Sequence, residues 1–89
     1  MPKVAVKDDM VATGKQLANA ATRFTLNGLP VVLVGDPITP HDNGPHTNAT
    51  MIEGTSFMTW NGVQVCVQGN KASCLHTTLG TSIMDIPNN

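Results

Sequence analysis

The stretch that decides the fold is TLNGLPVVLVGD, residues 25–36, which returns 34 residues later as TWNGVQVCVQGN, residues 59–70. The two copies share Thr, Asn-Gly, Val and Gly in register. Asn-Gly between two β-prone runs favours a type I′ turn, because both residues tolerate the positive φ that this turn requires. Each copy is therefore predicted to form a β-hairpin, and the closing Gly-Asp or Gly-Asn is predicted to turn the chain out of its second strand.

The two ends of the chain together supply a third copy. GTSIM, residues 80–84, repeats GTSFM, residues 54–58, but only the entering strand of a hairpin can follow it. The return strand would be VAVKDD, residues 4–9, which aligns with VVLVGD, residues 31–36. The repeat thus predicts one small all-β domain over residues 1–89, built from three pseudo-threefold hairpin units, the third completed by the two termini. Such a closed arrangement leaves no strand edge open on one side.

Period-two alternation in the hairpin strands predicts which side chains form the core. One face is expected to be buried and carries Leu29, Val31, Leu33, Val63, Val65 and Val67. The opposite face of the first copy, with Pro30, Val32 and Val34, is more apolar than a solvated face should be, which indicates either extra core contact or a surface for a partner. Trp60 stands where Leu26 and Ile86 stand in the other copies, which indicates core packing. Only Gln16–Thr22 has a pattern that could form a helical turn.

Charge and length exclude several classes of function. The net charge is −1 and charged residues make up 12% of the chain, so neither a nucleic-acid footprint nor a polybasic membrane patch is present. No apolar stretch approaches the roughly 20 residues of a membrane span, and residues 1–11 carry charges where a signal peptide would be apolar. The protein is expected to start in the cytosol, where Cys66 and Cys74 favour reduced thiols or a metal ligand over a disulfide.

Soft metal ligands are concentrated in two loops that follow corresponding hairpins. His41 and His46 come after the first hairpin, and Cys74 and His76 come after the second. Imidazole nitrogen and thiolate sulfur are donors that Zn²⁺ prefers, and four of them close a tetrahedral structural site. Equivalent loops of a closed fold should meet at one end, so a zinc site is predicted there. The alternative is that these histidines are merely solvated, because His-x4-His with Cys-x-His matches no common zinc pattern.

The remaining candidate residues are expected to be structural. Cys66 lies within a strand and is expected to be a small packed residue. Asp9 and Asp36 occupy equivalent turn positions, where a carboxylate commonly accepts local backbone N–H groups. No catalytic carboxylate pair is expected.

The order of these features resembles the PAAR-repeat family. The likeness spans essentially the whole chain and is carried by Met1-Pro2, Asp8-Asp9, Asn27-Gly28, Gly35-Asp36, Gly54-Thr55-Ser56 and Asn61-Gly62. It implies a conical β fold with a structural zinc ion near the apex, held here by His41, His46, Cys74 and His76. Two departures are Asp8 in place of the usual Gly and Asn70 in place of Asp. Thr13-Gly14-Lys15 replaces a histidine that many relatives carry, so that loop is not expected to bind the metal.

The resemblance also implies a function without catalysis. The base of the cone would dock on the trimeric β-helical (VgrG-like) spike protein of a type VI secretion system, with one monomer per trimer and with effectors as possible further partners. The pointed end would touch the target membrane transiently. The docking surface is expected around Val32, Val34 and Trp60. The protein would be cytoplasmic before firing and then be delivered with the spike through the envelope or into the target cell.

Three other functions remain open at this stage. A tail-tip protein of a phage or extracellular contractile particle would have the same fold. A zinc hydrolase would need an open coordination position and a general base, for which only Asp42 and Glu53 lie nearby in sequence. A zinc-storage or zinc-sensing module would hold its metal exchangeably.

Overall fold

A computed structural model of the chain describes residues 2–11, 14–18, 24–40 and 49–87. Within these ranges the backbone forms strands, bridges and turns, and no helix occurs. Six two-residue strands pair in chain order as three antiparallel hairpins. They are β1 (Met10–Val11) with β2 (Gly14–Lys15), β3 (Thr25–Leu26) with β4 (Leu29–Pro30), and β5 (Thr59–Trp60) with β6 (Val63–Gln64). The predicted all-β class is confirmed, although the β1–β2 hairpin was not among those predicted.

The two Asn-Gly pairs form the turns of the β3–β4 and β5–β6 hairpins. The φ angles are 53° and 81° at Asn27 and Gly28, and 51° and 81° at Asn61 and Gly62. Positive φ at both central residues is the signature of a type I′ turn, whose twist matches that of the flanking strands. Both hairpins predicted from the repeat are confirmed.

The two termini complete a third hairpin of the same register. Lys3 pairs antiparallel with Asp85, as Pro30 pairs with Thr25 and Gln64 with Thr59 in the two Asn-Gly hairpins. The amide of Val4 donates to the carbonyl of Met84 over 2.8 Å, and the same bond joins Val31 to Phe24 and Val65 to Met58. The described terminal segments, residues 2–3 and 85–87, therefore take the place of the hairpin strands next to the turn, as the repeat predicted.

The fold thus has three units, numbered by their place in the chain. The first unit is residues 24–40 with 49–52, the second is residues 58–79, and the terminal unit is residues 2–11 and 14–17 with residues 84–87. In each unit the hairpin leads into an extended return segment, residues 31–33, 65–67 and 4–6 respectively. A turn and a second pair of extended segments follow in each unit.

The three return segments pair with one another around a common axis. At their centres the backbone groups bond in a cycle in which Ala5 donates to Cys66 (2.9 Å), Cys66 to Val32 (2.8 Å) and Val32 to Ala5 (2.9 Å). All three residues are completely buried. Each bond joins a different pair of units, so the cycle closes the fold. The repeat in the sequence therefore corresponds to a threefold repeat of backbone hydrogen bonds.

Two further cycles of amide–carbonyl bonds follow the same rule. One cycle lies at the bases of the hairpins. In it the amides of Lys7, Val34 and Gln68 donate to the carbonyls of Pro30, Gln64 and Lys3, respectively. The other cycle lies near the second pair of extended segments. In it the amides of Leu17, Ile52 and Leu79 donate to the carbonyls of Pro37, Lys71 and Met10, respectively. The units are therefore bound to each other by the main chain at three levels.

A capped turn ends each return segment. Asp36 Oδ2 accepts the Leu33 amide over 2.8 Å, Asp9 Oδ2 accepts the Val6 amide over 2.8 Å, and Asn70 Oδ1 accepts the Val67 amide over 2.7 Å. The residue before each cap has positive φ, namely 95° at Gly35, 95° at Gly69 and 74° at Asp8. The expectation that Asp9 and Asp36 cap local amides is confirmed, and Asp8 adopts the left-handed conformation that glycine adopts in the other units.

The buried side chains form two clusters, one on each side of the return segments. The hairpin cluster comprises Val4, Val6, Leu26, Val31, Leu33, Val65 and Val67, and Phe24, Met58, Trp60, Met84 and Ile86 pack at its edge half-buried. The loop cluster comprises Ala5, Val11, Ala18, Val32, Ile38, Ala49, Met51, Cys66, Ala72 and Cys74. The equivalence of Trp60, Leu26 and Ile86 in the core and the packing of Cys66 are as predicted.

The predicted alternation of buried and exposed faces is right only in part. Val65 and Val67 are buried as expected, but Cys66 between them is buried too, and Val63 is 37% exposed. The reason is that a return segment is flanked by the other two units, so that both of its faces pack, one into each cluster. The expectation that Val32 belongs to a docking surface is wrong for the same reason, since Val32 lies in the axial cycle with no exposed surface.

Candidate functional site

The two loops with candidate ligands come from adjacent units, and their bases are bonded together. Ser73, the first residue of the 73–76 loop, donates its amide to the Thr50 carbonyl over 2.7 Å and accepts the Thr50 amide on its Oγ over 3.1 Å. Thr50 follows residues 41–48 by two positions. At the other end of that segment, Thr39 makes the equivalent pair of bonds with Lys15 (2.9 and 2.8 Å). The described ends of the longer loop therefore lie beside the shorter loop and beside β2.

The shorter loop buries one candidate ligand and partly buries the other. Cys74 is 6% exposed and belongs to the loop cluster, whereas Leu75 is 70% exposed and has a φ of 72°. The loop is closed by bonds from the Leu75 amide to the Ala72 carbonyl and from the Ala72 amide to the His76 carbonyl, both 2.9 Å. Leu75 is therefore the exposed residue of the loop. Cys74, which precedes it, is buried, and His76, which follows it, is half-buried.

These two residues are half of the predicted zinc site. His41 and His46 lie outside the described residues. In the described ranges no three His, Cys, Asp or Glu side chains converge into a group that could hold a metal ion. No disulfide joins Cys66 to Cys74. The thiol of Cys66 donates to the Glu53 carbonyl over 3.2 Å. The donors present, a buried thiol and an imidazole two residues apart, suit a structural zinc ion.

A buried layer with two polar side chains lies next to the loop bases, and the sequence patterns did not reveal it. Gln16, Met51 and Thr78 occupy equivalent positions in the three units, because each donates its amide to the carbonyl of the turn cap of its own unit (2.9–3.0 Å). All three are at least 99% buried. Gln16 also forms a β-bridge with Ile38, so the expected helical turn is wrong at its first residue. Residues 19–22 of that stretch lie outside the described ranges.

One atom of this layer lacks a hydrogen-bond partner. Gln16 Nε2 donates to Thr78 Oγ1 over 3.0 Å, and Thr78 Oγ1 donates to the Leu79 carbonyl over 2.9 Å. Gln16 Oε1 has no partner, and among the described residues it is the one buried side-chain nitrogen or oxygen in this state. Leaving a buried carbonyl oxygen unpaired costs about 1–3 kcal/mol, so Gln16 Oε1 is a destabilising feature of this layer.

The hairpin end of the molecule carries an apolar face. We define the hairpin face as the exposed side chains of Leu29 and Val63 with the half-buried edge of the hairpin cluster. Trp60 belongs to that edge and stacks on Phe24 at a ring-centroid distance of 6.4 Å. Val34, the third residue expected in the docking surface, is half-buried against the loop cluster. Of the three predicted docking residues, Trp60 alone contributes to the hairpin face.

Comparison of the sequence with models of known protein families and with curated proteins gave no match. No helix long and apolar enough to cross a membrane occurs in the described ranges. The likeness to PAAR repeats therefore remains a resemblance of motifs, and the function is argued from the geometry of the chain itself.

Proposed function

We propose that this chain is a PAAR-like tip that caps the trimeric β-helical spike of a type VI secretion system or a related contractile tail. The observation that carries the proposal is the closed threefold pattern of hydrogen bonds made by a single chain. A trimeric β-helix ends in three equivalent sets of strand edges, which need a cap. A monomer with three near-equivalent units can match all three sets at once, so the expected ratio is one monomer per trimer.

The hairpin face is the surface on which such a spike would dock. It is formed by the two Asn-Gly hairpins and the paired terminal segments, and it exposes 38% of Leu29 and 37% of Val63. Exposed apolar side chains that border a buried cluster are typical of protein interaction surfaces. Burial of this face by a partner would also cover the edge of the hairpin cluster, which the small chain leaves half-exposed.

The loop end would then be the leading point, stiffened by zinc. His41, His46, Cys74 and His76 would hold the ion, which would cross-link the loops of two units that already share backbone bonds at Ser73 and Thr50. A structural zinc ion supplies an apparent ~10–16 kcal/mol of folding free energy. The protein would be assembled on the spike in the cytoplasm, touch the target membrane transiently on firing and travel with effectors.

The proposal is tested by mixing the purified protein with a trimeric β-helical spike protein of a type VI secretion system and measuring the mass of the complex. We expect one copy of this chain per trimer. Val63→Glu should abolish the complex, because it places a charge on the hairpin face at a side chain that is 37% exposed and lies outside the hairpin cluster. Leu75→Glu is the matched control at the loop end, where the side chain is 70% exposed, and should bind normally. Three copies per trimer, or normal binding by Val63→Glu, would refute the capping model.

A further inference from the structure

Two methionines hold equivalent positions in the hairpin face. The carbonyls of Met58 and Met84 each accept the amide of the first valine of a return segment, as the carbonyl of Phe24 does in the first unit. Both methionine side chains are half-buried and pack against the hairpin cluster, so they belong to the edge that the hairpin face includes. Two of the three units therefore carry a thioether sulfur at this place, and the other unit carries an aromatic ring.

The other described methionines lie in different surroundings. Met51 is 1% exposed and belongs to the loop cluster. Met10 is half-buried in β1 and is not part of the hairpin cluster. Solvent therefore reaches Met58 and Met84 more readily than Met51, and a change at either of these two residues alters the hairpin face directly.

Methionine in such a position can be modified by a peroxide. Hydrogen peroxide transfers one oxygen atom to the thioether sulfur, so the methionine is oxidised by two electrons to its sulfoxide and the peroxide is reduced to water. The product is a polar side chain with an acceptor oxygen, and it disrupts apolar clusters and methionine-containing interfaces. Methionine sulfoxide reductases restore the thioether, so the change is reversible.

We infer that Met58 and Met84 form a peroxide-sensitive pair of modification sites in the hairpin face. Their oxidation places a sulfoxide at equivalent points of two units, which weakens the packing of this edge on the hairpin cluster. It also makes an apolar surface polar, so that an apolar partner no longer fits it. The effect on docking rests on the proposed function, whereas the oxidation and its effect on stability do not.

The test compares the wild-type protein with the double variant Met58→Leu/Met84→Leu. Leucine has a similar volume to methionine and has no sulfur, so the double variant should fold. Met10→Leu is the matched control, because it removes a half-buried methionine outside the hairpin cluster. Each protein is treated with hydrogen peroxide, its oxidised methionines are located by peptide mass spectrometry, and its urea unfolding is measured before and after treatment.

We expect Met58 and Met84 to be oxidised before Met51. Peroxide should lower the urea midpoint of the wild type and of Met10→Leu, and it should leave the midpoint of the double variant nearly unchanged. All three proteins retain Cys66 and Cys74, so oxidation of thiols cannot account for a difference between them. Treatment with methionine sulfoxide reductases should restore the wild-type midpoint.

Binding to a trimeric β-helical spike protein is measured on the same samples. Oxidised wild type should bind about 5–150-fold more weakly than reduced wild type for each sulfoxide that the interface buries without a partner. The double variant should bind equally well before and after treatment.

The outcomes separate this inference from the capping proposal. Oxidation of Met51 as fast as Met58 and Met84, or an unchanged urea midpoint after both are fully oxidised, overturns the inference and leaves the capping proposal intact. Equal spike binding by reduced and oxidised wild type overturns the effect on docking. A reduced wild type that does not bind the spike overturns the capping proposal, and the urea midpoints still decide whether the pair is a modification site that alters the hairpin cluster.

Discussion

Replacement of Asp36 tests the capped turns that end the three return segments. Asp36 is 7% exposed, and its Oδ2 accepts the amide of Leu33, itself 6% exposed, over 2.8 Å. Asp36→Ala leaves that buried amide without this acceptor, which costs about 1–3 kcal/mol. Asp36→Asn keeps an oxygen in place and should cost about 1 kcal/mol or less, because Asn70 makes the same bond in the second unit over 2.7 Å. The second unit thus provides a natural precedent for the milder variant.

The assay is urea unfolding at a fixed free zinc concentration, since any metal that binds only the folded chain adds to the measured stability. The midpoint should fall clearly for Asp36→Ala and slightly for Asp36→Asn, with an unchanged dependence on urea. If both variants lost the same stability, the negative charge and not the accepted hydrogen bond would be the important feature. If neither lost stability, the turn would not depend on its cap.

Three further substitutions address closure, backbone strain and the metal. Gly80→Ala should prevent stable folding, because a Cβ at this position would overlap the backbone carbonyl of Lys3 where the termini meet; an ordinary melting temperature would contradict this. Gly35→Ala should cost only about 1 kcal/mol in urea unfolding, since a Cβ there meets nothing within 4 Å and the left-handed conformation costs alanine about 1–2 kcal/mol, partly offset by its smaller unfolded-state entropy. Cys74→Ser should lose zinc in elemental analysis while Cys66→Ser retains it, and the reverse result would move the site to the axial cycle.

The repeat predicted the threefold plan because its signals are local. Asn-Gly requires positive φ at two successive positions, and this turn appears at both predicted places with nearly identical angles. The pairing of Lys3 with Asp85 followed from aligning the chain ends with the complete copies, an alignment that needs no knowledge of packing. The caps at Asp9 and Asp36 were predictable for the same reason, since each accepts an amide three residues away.

The burial pattern could not be predicted because it depends on partners distant in sequence. Alternation assumes a sheet with one core face, whereas Val32 and Cys66 pack at an axis formed by all three units. The stretch from Gln16 has a pattern that could form a helical turn because Leu17 and Ala18 follow it, whereas the tertiary partner of Gln16, Thr78, lies 62 residues away. A buried glutamine opposite a methionine and a threonine carries no local signal; it becomes visible only when the three units are superimposed.

Cys74 and His76 lie in the 73–76 loop, and the convergence of His41 and His46 on them is the prediction on which the pointed tip depends. The zinc content of the purified protein, measured by elemental analysis for the wild type and for His46→Ala, tests it most directly. One zinc ion per wild-type chain and none in the variant is the predicted result. A wild-type protein without zinc, or a variant that keeps its full complement, would contradict the metal-stiffened tip.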